Sequence, residues 1–159
     1  MTDITVHYIH GFPKDEFDVL NELGFEITIP EDKPVITALA GKPEDYLIIF
    51  GIYFSIKVIE KLVENSADGL SKKILKVVSK LWTKHNKTKP ALVEGSKNPV
   101  FKEPKAVITF QISDDETSKF EITNDINEKQ LEVSLETFLK LVKLQYKNRK
   151  EEAKFKKLN

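Results

Sequence analysis

The chain of 159 residues contains no cysteine, one tryptophan and one methionine, and its only arginine is Arg149. Without cysteine there are no disulfides, no thiolate metal sites and no cysteine nucleophiles. A single arginine leaves little of the bidentate guanidinium chemistry by which proteins read nucleic acids, so nucleic-acid binding is not expected. There is no Gly-x-Ser-x-Gly turn and no glycine-rich phosphate loop. No uncharged run reaches the roughly 20 residues that a spanning helix needs. The opening residues "MTDITVHYIHG" carry an early Asp3 and no basic cluster. That is not the pattern of a signal peptide, and a cytoplasmic protein is expected.

What is present is a folding composition. Hydrophobic residues make up 40% and charged residues 31%. Length and composition predict one domain over 1–159. Net charge is zero but uneven: residues 1–45 hold ten acids and three lysines, residues 57–105 hold twelve lysines and five acids. Such asymmetry points to internal complementarity or to an acidic partner for the middle of the chain.

Periodicity assigns the elements. "ITVHYI" (4–9) reads as a strand and "KDEFDVLNELG" (14–24) as a short helix ended by Gly24. "FEITIP" (25–30) alternates as a half-buried strand, and "VITALAG" (35–41) fits a strand or a helical turn. Residues 46–56, in "DYLIIFGIYFSIKVIEKLV", carry no charge. Lys57, Glu60, Lys61 and Glu64 follow at helical spacing, so a helix is expected over 44–64, buried on most sides at its start. A second helix is expected over 71–85. Residues 86–104 hold three prolines and no period, and read as a long loop. "KAVITFQIS" (105–113) and "KFEIT" (119–123) alternate around "DDETS" as a hairpin. Asn127 is a candidate N-cap, with Glu128 failing to complete a capping box. Leu131, Leu135, Phe138, Leu139, Val142 and Tyr146 then share one face of a closing helix. Residues 147–159 hold six basic residues and two acids, and read as a charged helix extension or a mobile tail. The whole predicts an α+β, two-layer sandwich: a small, mostly antiparallel sheet with helices on one face.

Candidate chemistry is sparse. "YIHGFP" looks like an oxyanion-hole strand turn of α/β-hydrolases, but the nucleophile turn that this chemistry requires is missing. His7 and His10 are three apart, and in a strand they point to opposite faces, so they do not pair on a metal. "SDDETS" lacks the alternating oxygens of a calcium loop. No catalytic, cofactor or metal residue is assigned. The most informative surface is "SKKILKVVSKLWTKHNKTK" (71–89), with seven lysines and no acid. Lys73, Lys76, Lys80 and Lys84 recur as a stripe, and Trp82 is expected to lie beside it. These five form the candidate partner-binding set, suited to an acidic protein.

From residue 45 onward, "LIIFGIYFSIKVI", "VVSKLWTKHNKTK", "KAVITFQISDDETSKFEIT" and "LEVSLETFLKLV" together resemble the effector-associated constant component domains of bacterial conflict systems. That resemblance implies a non-catalytic adaptor working through protein–protein contact. The alternatives are an immunity protein that neutralises a toxin and an enzyme of unrecognised type.

Overall fold

The computed structural model describes residues 2–9, 12–30, 46–64, 69–86, 91–92, 100–101, 103–123 and 126–158. The expected strand or helical turn at 35–41 lies outside them. Strand β1 (Ile4–Tyr8) is followed by a 3-10 helix (Lys14–Leu23) that ends where Gly24 takes φ 77°, a conformation open to glycine at no steric cost. The short β2 (Ile27–Thr28) returns beside β1. Next come β3 (Tyr46–Phe54), α1 (Ile56–Glu64) and α2 (Gly69–His85). Two short strands, β4 (Ala91–Leu92) and β5 (Val100–Phe101), pair with each other. Within the expected 86–104 loop, the chain thus forms this small ladder. Strand β6 (Glu103–Ser113), β7 (Glu116–Thr123) and α3 (Glu128–Leu158) complete the chain.

The five main strands form one sheet in the order β2-β1-β3-β6-β7. The α+β class holds. The sheet is mixed, with β1/β2 and β3/β6 parallel and β1/β3 and β6/β7 antiparallel. The reason lies in the connections. A helical segment joins the strands of each parallel pair, which lets the second strand run in the same direction as the first.

The uncharged run at 46–54 is the central strand rather than the first half of a helix. It is bonded on one edge to β1 and on the other to β6. Its open-face positions Ile48, Gly51 and Tyr53 are as uncharged as its covered ones, and over so few residues periodicity cannot separate such a run from a buried helix. Its β-branched and aromatic content favours the strand. The helical part begins only at Ile56, where Val58, Ile59 and Leu62 are buried and Lys57, Glu60, Lys61 and Glu64 face solvent.

One layer of helices covers one face of the sheet. Ile4, Val6, Phe50, Ile52, Phe54, Ala106, Ile108, Phe110 and Ile112 point into it and are buried. Ring contacts knit the layers. Phe54 stacks on Phe110 at 4.5 Å between centroids, and Phe138 of α3 lies 5.9 Å from Phe110 and 5.2 Å from Phe120. Phe12 bridges Phe17, Phe50 and His85. On α3, Leu131, Leu135, Leu139 and Val142 are buried, as their spacing predicts. Its N-terminus is a capping box after all. Gln130 N–H donates to Asn127 Oδ1 at 2.8 Å and Asn127 N–H donates back to Gln130 Oε1 at 3.4 Å, so glutamine fills the role that Glu128 cannot. The helix runs on to Leu158, and the acidic hairpin turn docks against it: Arg149 Nε donates to Glu116 at 2.5 Å.

Candidate functional site on the open face of the sheet

Strand alternation sends the other half of the sheet's side chains away from the helices. Pairing register places His7, Gly51, Val107 and Glu121 in one row across four strands. Thr5, Tyr53, Thr109 and Lys119 form the next row, and Ile48 and Lys105 the row on the other side. Among the described residues no helix covers this face. It holds a groove of about 540 Å³. Ile48, Gly51 and Val107 give it an apolar floor, and His7, Tyr53, Thr109, Lys119 and the Lys105–Glu121 pair supply polar groups.

Two features shape the groove. Gly51 lacks a side chain at its centre, and a Cβ there would reach the Val107 carbonyl oxygen only at 3.5 Å, an ordinary contact. The glycine is therefore not forced by crowding; it leaves a notch between Tyr53 and His7. Lys105 Nζ donates to Glu121 Oε1 at 2.8 Å, the Lys105 side chain mostly buried and that of Glu121 exposed, so the two charges answer each other at the edge of the groove. Lys119 stands beside it with no ion-pair partner among the described residues. Ile48 is 43% exposed, unusual for a large apolar side chain of a central strand. These groups are spread along the groove, in an arrangement suited to holding a ligand. Among the described residues no three histidines or acids come together as a metal site, and the partner histidine of His7, His10, lies outside those residues.

The lysine stripe sits on the opposite layer. Lys73, Lys76, Lys80 and Lys84 are exposed on α2. Trp82 is not with them: it is 0% exposed and belongs to the core. Position 82 is two residues from both Lys80 and Lys84, and at about 100° per residue that is the far side of the helix. Lys84 pairs with Glu16 at 2.7 Å, and this hydrogen bond holds the Glu16 carboxyl below the usual carboxylate range. Lys73 lines a shallow groove with Lys61 and Phe25. Lys76 and Lys80, with Lys72, face Glu128, Glu132 and Glu136 across a groove between α2 and α3. The stripe is thus partly answered by acids of the same chain.

The buried face of α2 carries its own polar group. His85 packs against Phe12 at 4.6 Å, its Nε2 has no hydrogen-bond partner, and burial pushes its pKa down. Sequence reasoning missed the open-face residues, although one signal was there. Val107 and Tyr53 are apolar or aromatic where alternation assigns solvent. Compared with protein-family models, with curated proteins and with solved structures, the chain matches none.

Proposed function

We propose that this chain is a non-catalytic protein-interaction module and that the open face of its sheet is where the partner polypeptide docks. The observation that carries this reading is the groove itself. Helices cover one face of the five-stranded sheet, and among the described residues the other is left with an apolar floor around Gly51, Val107 and Ile48, rimmed by polar groups. An apolar centre with a polar rim is the usual anatomy of a binding surface. A bacterial conflict or defence system is the setting that the sequence resemblance suggests. The exposed lysines Lys73, Lys76 and Lys80 lie on the opposite layer and serve as a second, electrostatic contact for an acidic partner.

The test is a comparison of two variants. A partner captured with the wild-type chain is assayed against Val107→Lys on the open face and against Lys76→Glu with Lys80→Glu on α2. This reading expects Val107→Lys to abolish binding with an unchanged circular-dichroism spectrum, and the α2 reversal only to slow association. Retention of the partner by Val107→Lys overturns it.

A further inference from the structure

Helix α3 has two apolar faces, and among the described residues only one of them is packed against the rest of the fold. Leu131, Leu135, Leu139 and Val142 are buried. Val133, Leu141, Leu144 and Phe155 are exposed by 61%, 54%, 54% and 70%. At about 100° per residue these four fall in one sector, on the side of the helix away from the sheet. Singly exposed apolar residues are ordinary, but a line of them along a helix marks an interaction surface.

We infer that this outer stripe pairs with the same stripe of a second copy, the two α3 helices running antiparallel. Spacing is the first argument. Val133, Leu144 and Phe155 are eleven residues apart on either side of the centre, three helical turns each way. A two-fold axis at Leu144 therefore sets Leu144 against itself and Val133 against Phe155 at both ends. An isologous contact requires that self-matching pattern. Charge is the second. In this register Glu136 of one copy comes within a turn of Lys154 of the other, on the same side of the pair. Lys140, Lys143 and Lys147 gather nearer the centre and weaken the pair, while the Glu136–Lys154 match recurs at both ends. Anchoring is the third. Arg149 bonds Glu116, and Ser118 Oγ and Gln145 Oε1 lie 2.6 Å apart, so the hairpin holds the inner side of α3 and fixes which side faces out.

The absence of cysteine makes the test clean, because any thiol introduced is the only one. Full-length chains carrying Leu144→Cys, Val133→Cys or Phe155→Cys are treated with a short bis-maleimide. The antiparallel pair predicts efficient self-crosslinking of Leu144→Cys, little for Val133→Cys alone, and efficient crosslinking when Val133→Cys and Phe155→Cys chains are mixed. In sedimentation equilibrium, Leu144→Glu should lose the dimer while its circular-dichroism spectrum and melting temperature stay those of the wild type. A wild-type chain that stays monomeric at every concentration tested overturns the inference. So does Val133→Cys crosslinking to itself as readily as Leu144→Cys, which would mean a parallel pair.

Discussion

The two faces of the sheet are built from the same strands yet carry different chemistry. On β6 the covered face shows Ala106, Ile108, Phe110 and Ile112, all buried, and the open face shows Lys105, Val107, Thr109 and Gln111, all half-buried. On β3 the covered face holds Phe50, Ile52 and Phe54, and the open face Ile48, Gly51 and Tyr53. The covered face is stabilised by apolar area and close packing. The open face still carries apolar groups, which a purely solvated face would not need. That excess is what distinguishes it from a purely solvated face.

The largest expected effect breaks the comparison on a single strand. Phe110→Ala removes a ring stacked on Phe54 and touching Phe138. It should cost about 3–5 kcal/mol, a large part of a typical domain's stability, in urea unfolding. Val107→Ala, on the other face, should cost under about 1 kcal/mol, because its side chain is only half-buried. Equal losses would mean that both faces are packed alike.

A smaller effect reads the covered layer by pH. The pKa of His85 is lowered by burial below its ordinary value of 6.5. The unfolded chain therefore takes up a proton near pH 6.5 while the folded chain does not. Stability from this residue is complete above that pH, declines as the pH falls through it, and levels off below the folded pKa. Melting temperatures across this range should show the decline, and His85→Gln should flatten it.

The smallest effect concerns the notch. Gly51 has no positive φ, and an alanine Cβ meets nothing closer than 3.5 Å. Gly51→Ala should leave stability unchanged or raise it by up to about 1 kcal/mol, since glycine in a strand is entropically costly. It should weaken partner binding by filling the groove. A clear loss of stability in thermal melts would show that the notch is a packing requirement.

How far the sequence revealed this architecture depended on the contrast between neighbouring positions. The β6–β7 hairpin was legible because polar and apolar residues alternate, and α3 because its leucines repeat. Strand β3 was not, since Tyr46–Phe54 has no polar residue to set a period. The capping box at Asn127 is visible in the Asn-x-x-Gln spacing and not at Glu128, which stands two positions too early to close it. Trp82 stands among the lysines in the sequence, whereas helical angle puts it in the core. The open-face site was the hardest. Its residues come from four strands, and only the register of a mixed sheet places His7, Gly51, Val107 and Glu121 in one row.

The openness of that face can be measured directly by thiol labelling in a chain that has no other thiol. Val107→Cys and Ile108→Cys place single thiols at neighbouring positions on opposite faces of β6. With the folded protein and excess iodoacetamide, the thiol at 107 should react readily and the thiol at 108 only as slowly as the protein unfolds. Equal protection at both positions would contradict the account, because it would mean that the groove around Gly51 is sealed within the fold and not offered to a partner.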